Sequence, residues 1–330
     1  MVINRPIALL AVSGMLAAMS ASAQTAGLQV PVLGYVASQP PEASPVLRAI
    51  HGVPGAVSMG DPLELPPDVS AIHLAPANKF AVAQIAGRLA LLDLNGTSIS
   101  SPRYIPGAAG TFDRVFFSAA GTALLAYSAG ENKLTIVRGL PASPEVTSVE
   151  DLAAQSLGAF ATGAVSDDGR VSFGGFADGS VWQFSAGQKA SELFRASLPA
   201  AMAVRKSNEN SGELLLADGA SKSLLLLSWD GAAATAKTLA GETDGIQQPS
   251  FLQVSEDGNT AWLGDLANNT ILTANLDTGS LATLPSRVTP VRLTKVGGKA
   301  NYLIESQDGS SALWTAPALE SSIWLLSSAR

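Results

Sequence analysis

The chain has no cysteine in 330 residues and only two histidines. Without thiols there can be no disulfide staple, no thiolate nucleophile and no thiolate metal ligand, so the fold must hold by packing alone. Charge is scarce too: 14% of residues are Asp, Glu, Lys or Arg, against 47% hydrophobic. That balance excludes a disordered or coiled-coil chain and describes a core-rich domain with a largely neutral surface. The net charge is −7, which speaks against non-specific nucleic-acid binding, where Lys and Arg must neutralise phosphates. Helical periodicity is almost missing, and only residues 148–157 suggest a short turn of helix in a long loop.

One apolar run stands at the N-terminus. Arg5 precedes a stretch from Ile7 to Met19 interrupted only by Ser13 and Gly14, and Ala21-Ser22-Ala23 follows as a small-x-small pattern. The run is too short for a permanent membrane span, so residues 1–23 read as a removable signal peptide with Gln24 as the mature N-terminus. The protein is expected to be exported, to the periplasm or the medium, with no transmembrane segment after signal removal. Loss of Arg5 leaves 19 basic and 27 acidic groups, a formal charge of −8. Residues 24–330 are expected to form a single domain, and a chain of that size buries roughly three quarters of its unfolded surface.

That domain is repetitive. A short pattern of apolar residues, a small or polar residue, two loose positions and then Gly or Asn recurs in 72–78, 115–121, 163–169, 252–258 and 292–298, with a stretched copy in 203–212. The turn positions 78, 121, 169, 212, 258 and 298 are separated by 43, 48, 43, 46 and 40 residues. Gly and Asn accept the positive φ of a tight hairpin. A second hairpin follows in each unit, at Ala86-Gly87, Glu131-Asn132, Asp178-Gly179, Ala220-Ser221, Asn268-Asn269 and Asp308-Gly309, and fourth strands are expected at 103–106 and 322–326. Four short strands per unit is the mark of a β-propeller blade, which must stack on its neighbours to bury both faces. Six units are complete, and residues 28–60 look like the second half of another; Gly52 to Ala56 echoes Tyr104 to Ala108. The expected fold is therefore an all-β propeller of seven blades, with the N-terminal strands sharing a composite closing blade with C-terminal strands. The alternative is six blades with extra N-terminal strands. Gln39-Pro40-Pro41 and 62–67 are expected as loops between strands.

Val165-Ser166-Asp167-Asp168-Gly169 and Val254-Ser255-Glu256-Asp257-Gly258 resemble the inner strands of exported bacterial propellers of the YVTN and lactonase-like superfamily. The aromatic-Val-(Thr/Ala)-Asn strand of the full YVTN pattern is replaced by Ala-rich versions, so the resemblance implies the fold and transfers no functional residue. Residues 50–62 resemble a stretch shared by exported propellers of environmental bacteria, which brings no activity with it.

Candidate site residues are few. His73 falls on an expected innermost strand and could face the central channel; His51 lies apart from it. Arg287, Arg292, Lys295 and Lys299 form a basic run without an intervening acid, a candidate anion or partner patch. The acidic turns at 167–169, 256–258 and 277–279 lack the alternating ligands of a calcium loop and read as hairpin turns. Trp182, Trp229, Trp262, Trp314 and Trp324 fall in or beside strands and read as packing between blades. The sequons at Asn95 and Asn268 coincide with turns. No nucleophile elbow and no phosphate loop leading into a helix is present, and no catalytic, cofactor or metal residue is assigned. The leading reading is a binding or interaction module for an envelope or extracellular protein or ligand, without a cofactor. The competing reading is a lactonase-like or other hydrolase or lyase, with His73 and inner-strand acids meeting in the channel.

Overall fold

Alternating apolar residues, punctuated by residues that tolerate positive φ, fold each repeat into an antiparallel meander. The structure is a computed structural model. It describes residues 31–38, 44–53, 56–208, 211–231, 233–296, 301–306, 311–315 and 322–325. The segment 1–23, Gln39 to Pro41, Lys299 and the turns at Gly298 and Asp308-Gly309 lie outside the described residues. Among those described the chain is all-β apart from one 3-10 turn at Glu242–Asp244, and no helix is long and apolar enough to cross a membrane.

Six sheets each run outward from an innermost strand to an outer edge. The innermost strands are Val69–Leu74 in blade 1, Arg114–Phe117 in blade 2, Phe160–Val165 in blade 3, Pro199–Ser207 in blade 4, Pro249–Val254 in blade 5 and Pro290–Lys295 in blade 6. In blade 1 the outer edge is shared by Ser98–Ile99 and Arg103–Ala109, both paired with Arg88–Asn95.

The recurring hairpin owes its geometry to its residues. Asn78, Gly121, Gly169 and Gly258 take φ of 56°, 73°, 64° and 72°. Just before the turn, the hydroxyls of Ser118, Ser166 and Ser255 accept bonds from the N–H groups of Ala123, Val171 and Thr260 at 3.1, 3.1 and 2.9 Å. Ser166 and Ser255 in turn donate to Asp168 and Asp257, at 2.6 and 2.5 Å. The Ser-x-Asp-Gly pattern is thus a hairpin brace, and the acidic turns at 167–169 and 256–258 are accounted for by it.

Two local expectations are corrected. Residues 145–151 form the outer strand of blade 2, paired with Lys133–Arg138, not a helical turn; the run Val146-Thr147-Ser148-Val149 favours extended backbone and finds a free sheet edge there. Gly212 is not a turn residue. It lies in the strand Ser211–Asp218 opposite Trp229, and a Cβ there would overlap the Trp229 ring and the Lys206 carbonyl. Blade 4 has the longest inner strand, with a register shift between Val204 and Lys206, and pairs Ser207 with Gly212.

The seventh sheet consists of Val32–Ser38, Val46–Val53 and Ala56–Pro62. Its last strand leads into the inner strand of blade 1, as the outer strands of blades 1 to 5 lead into their successors. It therefore supplies the second to fourth places of a blade, one strand more than the second half expected from the sequence, and Gly52 and Val53 end its middle strand where the echo of 104–108 pointed to an outer one. Seven apolar clusters fill the seven gaps between neighbouring blades. Tyr35, Leu47 and Ala49 pack on Ile72 and Leu74 of blade 1, and Val36 and Ile50 pack on Val296 and Leu303 of blade 6. Burial of such side chains stabilises by about 1.5–3 kcal/mol each, so the closing blade is held from both sides. The expected sharing of that blade with C-terminal strands is not seen among the described residues. Blade 6 uses the C-terminal strands Ser311–Thr315 and Ser322–Leu325 itself, so among the described residues closure rests on packing and on side-chain bonds, one of them from Tyr35 Oη to the Gly96 carbonyl at 3.0 Å. Asn78 accepts from Tyr35 N at 2.6 Å and donates to Tyr35 O at 3.0 Å, pairing with that strand as a neighbouring backbone would.

Candidate functional site

The six inner strands surround a central cavity of about 440 Å³. The levels of five of them along the axis can be matched, because the hairpins of blades 1, 2, 3, 5 and 6 carry the same bond. The N–H groups of Ala75, Ser118, Ser166, Ser255 and Val296 donate to the carbonyl five residues on, at 2.8–3.1 Å. Four residues before these markers stand Ala71, Arg114, Thr162, Phe251 and Arg292, opposite Gln84, Tyr127, Gly175, Gly264 and Glu305 in the same register. Arg114 and Arg292 therefore occupy the same level of the channel, in blades 2 and 6.

The rest of the lining is small or apolar, with Val115, Phe117, Ala161, Ala203 and Leu252 among its members, and a few polar groups such as Gln253 and Thr294. Among the described residues the two arginines are the charged side chains of this lining, and no carboxylate or histidine belongs to it. Arg114 donates from Nη1 to the Ala161 carbonyl of blade 3. Arg292 reaches past the closing blade and donates from Nη2 to the Leu74 carbonyl of blade 1 at 3.0 Å. Neither takes part in an ion pair among the described residues.

His73 does sit on an innermost strand, paired with Val82, but it is not among the residues that line the cavity. Burial, and then the charge of Arg292, push its pKa down to about 4. The imidazole is therefore neutral near pH 7. His51 lies in blade 7 opposite Ser58, and the described residues hold no group of three acidic or histidine side chains placed to bind a metal.

The structure divides the basic run. Arg287 is exposed ahead of the inner strand of blade 6, and Arg292 lines the channel. Lys295, three residues on in a strand and hence on the opposite face, lines a second recess of about 610 Å³ with Glu256, Asp257, Trp262 and Tyr302. That recess shares Pro76, Ala119, Gln253 and Val254 with the channel and so adjoins its hairpin end. In it the Asp257 carboxyl is held below the usual carboxylate range, chiefly by the Ser255 hydroxyl.

The three tryptophans whose side chains are described pack between blades. Trp229 lies edge-on to Phe173 with centroids 5.0 Å apart, Trp262 is tilted on Tyr302 at 5.0 Å, and Trp182 packs at the junction of blades 2 and 3. The side chains of Trp314 and Trp324 lie outside the described residues.

Two charged groups missed by sequence reasoning brace the ring. Arg205 bonds Glu213 at 2.8 Å, Asp277 at 2.6 Å and the Gly258 carbonyl at 2.7 Å, joining blades 4 and 5. Asp218 takes four backbone N–H donors from Ser197, Leu198, Ala220 and Ser221 at 2.8–3.2 Å. Nothing in the sequence marks Arg205, because its partners lie 8 to 72 positions away. Arg114 could have been found by counting back from Ser118 as from Val296.

No family model matches the chain, and no curated protein matches it by sequence. Solved structures do resemble it. A candidate 6-phosphogluconolactonase from Bacteroides uniformis ATCC 8492 superposes with a TM-score of 0.59 at 14% identity, over 88% of this chain and 94% of the other. A functionally unknown protein from Desulfotomaculum acetoxidans DSM 771 gives 0.56 at 12% identity, over 86% and 96%. A chain of the nidogen/laminin complex gives 0.52 at 14%, over 77% and 93%. At these identities the likeness is one of fold, and it agrees with the ring of sheets: the chain is a β-propeller.

Proposed function

We propose that the protein is an exported binding module that takes a small ligand into its central channel. The observation that carries this reading is the channel lining: apolar and small side chains from six strands, with two arginines as fixed polar anchors. Concave, mainly apolar cavities with a few placed polar groups are the usual form of small-molecule sites, and about 300–1,000 Å³ is their common size. A hydrolase or lyase reading needs a general acid or base within reach of the substrate. The inner-strand acids and His73 that would supply one are not in the lining, which supports binding over turnover.

Export rests on Arg5, the apolar run and Ala21-Ser22-Ala23. N-terminal sequencing of protein recovered from periplasm and medium should give Gln24 as the first residue; recovery only in the cytoplasm with residue 1 intact refutes it. For channel binding, a thermal-shift screen of small molecules on the intact protein is expected to yield hits abolished by Ala161→Trp, which fills the channel. Hits that survive in Ala161→Trp place the ligand elsewhere.

A further inference from the structure

Resting on the channel-binding reading, we infer that the ligand is an anion: an alkyl or aryl body bearing a carboxylate or phosphate that docks on Arg114 and Arg292.

Arg205 gives the internal standard. A guanidinium presents several N–H donors in a fixed fork, and Arg205 uses Nε, Nη1 and Nη2 on a carbonyl and two carboxylates. Arg114 and Arg292 each donate to a single backbone carbonyl, and no carboxylate shares their lining. Glu305 stands opposite Arg292 in the register, yet it accepts from Thr294 Oγ1 at 2.9 Å and forms no ion pair with Arg292 among the described residues. At the hairpin end of the channel, Asp257 is likewise engaged, by Ser255 at 2.5 Å and the Asn259 N–H at 3.0 Å.

Two positive charges thus share one level of a channel with mainly apolar walls, without a lining counter-ion among the described residues. Such walls focus the field and raise the local concentration of anions. Burial first, and then the charge of Arg292, lower the pKa of the neighbouring His73. A carboxylate or phosphate would supply the acceptors that the described residues do not, through short charge-assisted bonds. The apolar walls, with Val115, Phe117 and Leu252, would take the body of the ligand. An inorganic anion alone would leave those walls wet, which favours a head-and-body ligand over a free ion.

The test is calorimetric titration of the full chain with octanoate, octyl phosphate and 1-octanol, each below its micellar concentration. The anions are expected to bind at least ten-fold more tightly than 1-octanol, and the tighter of the two identifies the headgroup. Arg292→Gln and Arg114→Gln should each weaken the anions about ten-fold and leave 1-octanol unchanged. Arg292→Lys, which keeps the charge and loses the fork, should fall between. If Arg292→Gln does not fold because its bond to blade 1 is lost, Arg114→Gln carries the test, since Arg114 is exposed and holds one bond. Equal affinity for 1-octanol and octanoate, or anion affinity unchanged in Arg114→Gln, overturns the anion assignment and leaves channel binding standing. Anion binding that persists in Ala161→Trp, or no binding of any probe, overturns both.

Discussion

Asp218 offers the sharpest test of how the blades are held. Its side chain sits at the end of the second strand of blade 4 and is 2% exposed. Oδ2 accepts from Ser197 N at 2.8 Å, and Oδ1 accepts from Leu198, Ala220 and Ser221 at 3.0, 3.0 and 3.2 Å. One carboxylate therefore ties the loop entering blade 4 to that blade's second hairpin. Burial pushes its pKa up, but the four N–H donors together hold it below the usual carboxylate range. Bonds to a charged acceptor contribute about 1.5–3 kcal/mol each in isolation. Here they share one group, and the donor residues are exposed enough for water to replace it in part. We expect Asp218→Ala to destabilise by about 2–4 kcal/mol. Asp218→Asn keeps the Oδ1 acceptor but turns an amide N–H₂ toward the Ser197 N–H, so it should cost about half as much. Urea unfolding followed by tryptophan fluorescence would measure both, with m unchanged if the native and denatured states keep their compactness. The pH dependence has a definite sign. A depressed folded pKa contributes stability that is full above the unfolded carboxylate value and is lost as pH falls through the folded one. The gap between wild type and Asp218→Ala should therefore be complete at pH 7 and close in acid below about pH 4. A loss under about 0.5 kcal/mol at pH 7, within the range of ordinary surface substitutions, or Asp218→Asn proving worse than Asp218→Ala, would refute the assignment.

Asp265 repeats the arrangement in blade 5, accepting from Gln247 and Gln248 at 2.6 and 2.7 Å, so Asp265→Ala should cost a similar amount and add to Asp218→Ala in a double-variant comparison of unfolding midpoints. Asn78 should rank Asn above Gly above Ala in thermal unfolding, because Gly loses the two bonds to Tyr35 and Ala loses them while also straining φ of 56°; Asn78→Ala is expected to cost about 2–3 kcal/mol, and an unchanged midpoint would remove Asn78 from ring closure. Arg205→Ala leaves Glu213 and Asp277 without their partner and should destabilise by about 2–3 kcal/mol, less than a fully buried pair because both acids keep solvent contact; recovery of native stability in Arg205→Lys would argue against the three-way geometry. His73 has a folded pKa of about 4, below the unfolded value near 6.5. The unfolded chain therefore binds the extra proton between those values, and stability rises with pH across that window. Up to roughly 3 kcal/mol should be lost on acidification from pH 7 to pH 4, and His73→Gln should flatten that part of the profile.

Much of the ring was legible from the chain because a hairpin leaves a local trace. Asn78, Gly121, Gly169 and Gly258 lie at the turns that their tolerance of positive φ predicted, and Ser166 and Ser255 with their acids are braces within five residues. Spacing alone left seven blades, or six with extra N-terminal strands, both open. Gly212 misled because Gly is also required where a backbone meets a neighbouring ring, here Trp229. Residues 148–151 misled because an outer strand, half exposed and lightly packed, has little apolar alternation to read; the rest of that segment, 152–156, is a turn.

What the sequence determined by itself was therefore the inner hairpins of most units, the period of the repeat and the need for blades to stack, since each follows from residues a few positions apart. Tertiary structure decided the rest. It set the N-terminal sheet between blades 6 and 1 and, among the described residues, gave the C-terminal strands to blade 6. It removed His73 from the channel lining and separated Arg292 from Lys295, because successive positions of a strand face opposite sides. It also brought Arg114 and Arg292 to one level of the same channel across 178 positions of sequence, a meeting set by the register of two distant hairpins and the curvature of the ring.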